Sequence, residues 1–228
     1  MLPSLWEAVA GTREVEWGVR RADGKLEFTP EMARCWAWKD ELPARRLAVV
    51  GKHFGRWAAI AAPRVVPALY SLTGRAGRPD DFRAAELAAL QSDIAEAVLE
   101  AGPSTPAELR ALVSAEKKHV DAAVVALQRA FVLTNAHLVQ QKAGWGAIAV
   151  ELVARHWPPG ALPAADEAER TLARCILASS GEVSAADLGG ALGWRVKRSR
   201  AVLDELAGRG EARARLDNGV TLYSLSDS

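Results

Sequence analysis

The sequence predicts a mainly α fold with small β wings, an α+β class built from tandem winged helix-turn-helix domains. Three observations carry this: a gap-free internal repeat, a capped short helix in the middle of each copy, and a β-prone stretch after each third helix. Sliding the chain along itself by 79 residues sets Val98 on Leu177, Gly102 on Gly181 and Thr105 on Ser184. Ala107-Glu108-Leu109 falls on Ala186-Asp187-Leu188, and Val113, Val124 and Leu127 meet Leu192, Leu203 and Leu206. Two copies are too few for a solenoid, so tandem domains are expected. The expected division is 1–80, a Trp-rich basic region, 81–160, a first winged-helix domain, and 161–228, a second.

In the first copy an amphipathic helix is expected over 85–101, stopped by Gly102-Pro103. Thr105 then caps a helix from Pro106 to Val113, with Pro at its first position and Glu108 three residues after the cap. A third helix from Lys117 to Arg129 sets Val120, Val124 and Leu127 on one face. The second copy repeats this over 167–179, 185–192 and 196–208, with Ser184 as the cap and Asp187 behind it. The first β-prone stretch is Phe131-Val132-Leu133, a polar break, then 145–150. The second is 211–216 and 220–225 around Asp217-Asn218-Gly219, and Asn-Gly between such runs marks a hairpin.

The amino-terminal region is read more coarsely. Ser4 and Glu7 make a capping box for a helix over 4–10. A strand is expected over 57–62, and a helix over 65–72 broken or kinked at Pro67. Five of the eight tryptophans lie in the first 57 residues. A small Trp-rich core accounts for them, with stacking on an unpaired base as the alternative.

Composition excludes several classes. With 228 residues, half of them hydrophobic, the chain buries a real core and is neither disordered nor collagenous. The longest run without Asp, Glu, Lys or Arg is Ala130–Gln141, too short and too polar for a membrane span. The amino terminus lacks the basic and apolar regions of a secretory signal, so a soluble cytoplasmic protein is expected. Cys35 and Cys175 form no Cys-x-x-Cys pair and are expected as buried free thiols in a reducing cytosol. His53, His119, His137 and His156 have no metal-ligand spacing, so neither a metal nor a cofactor is expected.

The net charge of +1 averages over opposed blocks. From Leu42 to Pro79 there is no acid, against Arg45, Arg46, Lys52, Arg56, Arg64, Arg75 and Arg78. From Asp80 to Glu108 seven acids face Arg83 alone. Either the basic block faces a polyanion or it packs against the acidic one. A third block, Arg195–Arg215, has seven basic residues against Asp204, Glu205 and Glu211. In a helix-turn-helix the start of the third helix faces the bases. In the second copy this start carries Arg195, Lys197, Arg198 and Arg200, with Arg213 and Arg215 two apart on the first wing strand. These six are expected to form one surface for double-stranded DNA, through phosphates and guanine edges. Lys117, Lys118 and His119 hold the matching place in the first copy, flanked by Glu116 and Asp121. The alternative is a solvated basic helix in a protein-binding winged helix, which leaves room for a protein partner. The oligomeric state is left open.

The residues Leu2-Pro3-Ser4-Leu5-Trp6-Glu7-Ala8-Val9, Trp38–Arg46, Gly51-Lys52 and Val66–Leu72, with the tandem units behind them, give the chain a likeness. It resembles winged-helix DNA-binding proteins related to the YcaQ/AlkZ crosslink-repair DNA glycosylases. That resemblance implies DNA repair or transcription, and a catalytic Gln-apolar-Gln or Gln-apolar-Asp triplet near the amino terminus. The sequence departs from this pattern: its only Gln-x-Asp is Gln91-Ser92-Asp93, within the first helix of a unit, and Gln140-Gln141 are adjacent. No catalytic residue is therefore assigned, and Gly51-Lys52 lacks the rest of a P-loop.

Overall fold

The computed structural model describes residues 4–54, 58–140 and 146–226. Helix α1 (Leu5–Ala10) opens on the expected capping box, with Glu7 N–H on Ser4 Oγ at 3.1 Å and Ser4 N–H on Glu7 Oε2 at 2.7 Å. The hairpin of β1 (Gly18–Arg20) and β2 (Leu26–Phe28) leads into α2 (Pro30–Ala44), elements the sequence pattern does not announce. Thr29 caps α2, and Met32, Cys35 and Trp6 bury one another. Strands β3 (Val49–Gly51) and β4 (Ala59–Ala61) pair antiparallel. Trp57, expected to start the second of these strands, lies outside the described residues.

Pro67 breaks nothing. A 3₁₀ turn at Pro63–Val65 runs into α3 (Val66–Ser71), and Pro67 occupies the first turn of α3. An amide hydrogen there has no intrahelical acceptor to lose.

The first unit starts with a 3₁₀ turn, Asp81–Ala84, and α4 (Ala89–Ala101) begins four residues later than the expected 85. Ala85 and Ala88 keep extended backbones, and Gln91 closes the helix start by accepting from Ala88 N–H at 3.2 Å. Then come α5 (Pro106–Val113), α6 (Lys117–Arg129), β5 (Leu133–Val139) and β6 (Ala147–Leu152). The polar residues Asn135 and His137 do not interrupt β5, because a bulge between them takes up the irregularity. Phe131, expected in a strand, sits instead in the preceding turn at φ 55°. Trp145, the expected start of the second strand, lies outside the described residues. A single turn, α7 (Val153–His156), ends the unit.

The second unit is α8 (Ala165–Ser180), β7 (Glu182–Ser184), α9 (Ala185–Leu192), α10 (Val196–Gly208), β8 (Ala212–Asp217) and β9 (Val220–Leu225). Both ends of α9 and of α10 lie 79 residues beyond those of α5 and α6 (185 − 106, 192 − 113, 196 − 117, 208 − 129). The Asn218-Gly219 turn has positive φ at both residues, as a two-residue type I′ hairpin requires. Its sheet order is β7-β9-β8, with Val183 opposite Tyr223. Ser104 makes the equivalent bridge to Val150 in the first unit. The whole is a mixed α+β, winged-helix-like fold.

Each unit has its own core, around Ile94, Val98, Leu109 and Leu127 in the first and Leu177, Leu188, Leu203 and Leu206 in the second. The amino-terminal region belongs to both. Val49, Val66 and Tyr70 pack on Phe131, Val153 and Trp157, while Val65 and Ala68 pack on Ala168 and Leu172 of α8. No helix among the described residues is long and apolar enough to cross a membrane.

Candidate nucleic-acid interface

Helix α10 buries Ser199, Val202, Leu203 and Leu206, so the opposite stripe faces solvent. Lys197 and Arg200, one turn apart, lie on this stripe, are exposed and have no ion-pair partner among the described residues. Arg195, the residue before the first turn, is exposed and equally unpaired among them. Arg198 points elsewhere. Its guanidinium stacks 4.4 Å from the Trp194 ring centroid and binds Glu169 of α8, with Nε donating at 2.8 Å.

The wing arginines lie apart from this stripe. Register sets Arg213 opposite Ser224 and Arg215 opposite Leu222, on the strand face away from buried Ala212 and Tyr223. Tyr223 is on the helix side, where its hydroxyl donates to Asp204 of α10 at 2.5 Å. Arg215 is held by Glu182 at 2.9 Å and Asp217 at 3.5 Å. The single surface expected from the sequence therefore divides. Arg195, Lys197 and Arg200 stay together, Arg198 turns to α8, and Arg213 and Arg215 occupy the outer face of the sheet.

The first unit differs in kind. Lys117, Lys118 and His119 are all exposed at the start of α6, but Lys118 pairs with Glu116 at 3.1 Å. Its strand β5 is covered: Thr134, at the position of Arg213, is fully buried and donates to Val50 O of β3 at 3.1 Å. Past the bulge, where Ala136 is the extra residue, His137 takes the register position of Arg215 and is half-buried.

The first basic block splits between both alternatives. Arg75 is buried, paired with Asp81 at 3.2 Å, and donates to the carbonyls of Ala130 and Phe131 at 2.9 Å, so it ties this region to the end of α6. Tyr70 OH completes the site by donating to Asp81 at 3.0 Å, and burial raises its pKa beyond the usual phenol range. Arg83, the lone cation of the acidic block, forks onto Glu96. Arg45, Arg46 and Arg64 remain exposed, and Arg56 lies outside the described residues. Both cysteines are free, Cys35 buried and Cys175 half-buried.

Gln91 caps its own helix, and Asp93 is exposed on another side of α4. Gln140 is exposed, and Gln141 lies outside the described residues. Burial keeps His53 neutral, its pKa pushed down to about 4, with Nδ1–H on Gln128 O at 2.8 Å. His156 is lowered for the same reason and hydrogen-bonds Pro43 O. Both are structural links across the amino-terminal region.

A cavity of about 350 Å³ opens where the three regions meet, lined among others by Phe54, Arg129, Phe131, Trp194 and Arg198. In the sequence only the Trp194–Arg198 spacing, four residues around a helix start, hints at it.

A family profile, DNA glycosylase AlkZ-like, matches residues 52–228. The chain belongs to the AlkZ-like DNA glycosylase family. Among solved structures, the DNA glycosylase AlkZ of Streptomyces sahachiroi superposes with a TM-score of 0.52 at 16% identity. The superposition covers 82% of this chain and 54% of that one, so the chain spans about half the length of this relative. Among curated proteins no sequence match is found. The stretches Leu2–Val9 and Trp38–Arg46, which carried part of the resemblance, precede the matched residues; Val66–Leu72 lies within them.

Proposed function

We propose that the chain is a DNA-binding protein of repair or transcription in the cytoplasm, using tandem winged helices at about 81–160 and 161–228 and without catalysis of its own. The observation that carries this reading is the solvent stripe of α10, where Lys197 and Arg200 are exposed and make no ion pair among the described residues. Cations of this kind bind phosphates and release counterions. Arg195 sits where a recognition helix meets the groove. Family membership supports DNA as the polyanion. Lys117, Lys118 and His119 are secondary contacts in this proposal, as are Arg198, Arg213 and Arg215, which lie outside the primary stripe.

The test is a salt titration of duplex binding. Lys197→Glu with Arg200→Glu should weaken binding across sequences and cut the salt slope by about 0.9 for each phosphate that is no longer neutralised. The paired change at Lys117 and Lys118 should do less. Unchanged affinity in the folded α10 variant rejects this surface, and absence of binding at low salt rejects the whole reading. The family name favours a second reading, glycosidic cleavage. It predicts abasic sites in alkylated or crosslinked DNA, and a negative assay under duplex-binding conditions removes it.

A further inference from the structure

The cavity between the units is cationic and aromatic, and its residues are only partly explained by the fold. Its volume of about 350 Å³ lies at the lower end of the range for small-molecule sites, about 300 to 1,000 Å³. Arg75, Arg129, Arg198 and His53 line it, and among the described residues no carboxylate does. A second cavity, about 420 Å³ between α4 and α5, has Asp93, Glu96 and Glu100 and no cation. A cationic lining is thus particular to the first.

These groups, three arginines and a neutral histidine, differ in how they are engaged. Arg75 is buried on Asp81 and two carbonyls, and His53 is fixed on Gln128 O. Neither is available to a ligand. Arg198 is oriented by Glu169 and lies over the Trp194 ring, yet its side chain keeps 43% of its surface exposed. Arg129, the last residue of α6, is exposed and has no ion-pair partner among the described residues. Phe131, at the floor, holds a left-handed backbone at φ 55°, a conformation that costs energy for a bulky residue. Its ring stands edge-on to His53 at 5.0 Å and to Tyr70 at 5.8 Å. Flat cationic and aromatic surfaces beside an uncommitted guanidinium suit a ligand with a π face and a negative charge.

We propose that this cleft takes a single nucleotide, one left unpaired in a DNA strand, with its base against the Trp194–Arg198 stack and its phosphate on Arg129. The proposal rests on the DNA reading and deepens it. A paired base has both its faces covered by neighbours, so only an unpaired one gains from the stack.

Two measurements test it. Anisotropy compares a fully paired duplex with the same duplex carrying one bulged adenine. Tryptophan fluorescence follows titration with deoxyadenosine monophosphate. The bulged duplex should bind at least about fivefold more tightly, the lower end of what base–aromatic stacking supplies. Arg129→Ala, an exposed change, should remove most of that preference and weaken the mononucleotide. Trp194→Ala should do the same if circular dichroism shows it folded, and Arg129→Ala decides alone if it does not. Equal affinity for the two duplexes overturns the cleft as a nucleotide site while DNA binding stands. A preference that survives Arg129→Ala overturns it too. If neither duplex binds, the DNA reading fails and the mononucleotide decides. Saturation weakened by Arg129→Ala keeps the site, and no saturation overturns it.

Discussion

Where the second unit has Arg170, Arg174, Glu205 and Glu211, the first has Gln91, Ala95, Ala126 and Val132 at the matching positions. The second unit ties α8 to α10 and to the start of its wing with ions. Arg170 binds Asp166 at 2.8 Å, Glu167 at 3.0 Å and Glu205 at 2.5 Å, while Arg174 bridges Glu167 and Glu211. The first has Ala95, Ala126 and Val132 along the same seams, with Gln91 turned to its own helix start, and the amino-terminal region then lies over its wing strand. The second wing strand keeps Arg213 and Arg215 exposed at the register positions of buried Thr134 and half-buried His137. The covered wing of the first unit is part of its packing, and the open wing of the second is not. The same frame thus carries two kinds of packing through a handful of substitutions.

The largest effects should come from the shared core. Leu127 and Leu206 are equivalent and fully buried. Leu127→Ala and Leu206→Ala should each cost about 2–5 kcal/mol in denaturant unfolding. If the units are separate bodies, each variant lowers a different step of the transition. One common step lowered equally by both would break the comparison.

Acid should next separate the covered unit from the open one. His53 is buried against α6 and β5, and its folded pKa of about 4 lies below the usual 6.5. The unfolded chain takes up a proton that the folded chain refuses. Stability from this group is therefore complete above pH 6.5 and is lost as pH falls to 4, by about 3 kcal/mol in all. Urea titrations across that window should show the loss in the first unit. His53→Gln should flatten it, apart from the smaller share of His156. A slope unchanged by the substitution would show that the amino-terminal region does not seal the first unit.

The helix caps should behave alike in both. Thr105 and Ser184 each accept from the amide three residues on, at 3.3 and 3.1 Å, and the returning carboxylates of Glu108 and Asp187 are lowered in pKa by those hydrogen bonds. Thr105→Ala and Ser184→Ala should each cost about 1 kcal/mol, read from thermal unfolding. Unequal costs would mean that the surroundings, not the cap, set the value.

These caps were legible because a cap is local: Thr-Pro-x-Glu and Ser-x-x-Asp carry the helix start within four residues, and α5, α6, α9 and α10 all match their expected limits. The α4 start was not, because Ala85 and Ala88 have no cap side chain and the start depends on Gln91 folding back. The amino-terminal strands are three residues long, too short for an alternating pattern to stand out, although each pairs with a near neighbour in sequence. For the candidate interface, the sequence located the basic residues but not their directions. Arg198 turns to Glu169, 29 residues away, and Arg215 to Glu182, 33 away. Pairing across such separations leaves no periodic trace.

The smallest effect probes the ion network itself. Arg170 has only 10% of its side chain exposed, but its partners Asp166, Glu167 and Glu205 are exposed by 65, 41 and 44%. Removing the guanidinium leaves carboxylates that water can solvate, so Arg170→Met should cost less than either cap, and less again in high salt. The carboxylates give a further signature. Hydrogen bonds from Arg170 hold Asp166 and Glu167 below their usual pKa values of 3.8 and 4.5. Their contribution is present above those values and is lost as pH falls through the lower folded ones, a window beneath that of His53. Unfolding of Arg170→Met should therefore be less sensitive to acid below pH 4.5 than that of the parent chain. Gln91→Met, the same change in the first unit, should leave this acid response unaltered. An equal change in both would mean that the network does not distinguish the units, and that the difference between them lies in the covered wing alone.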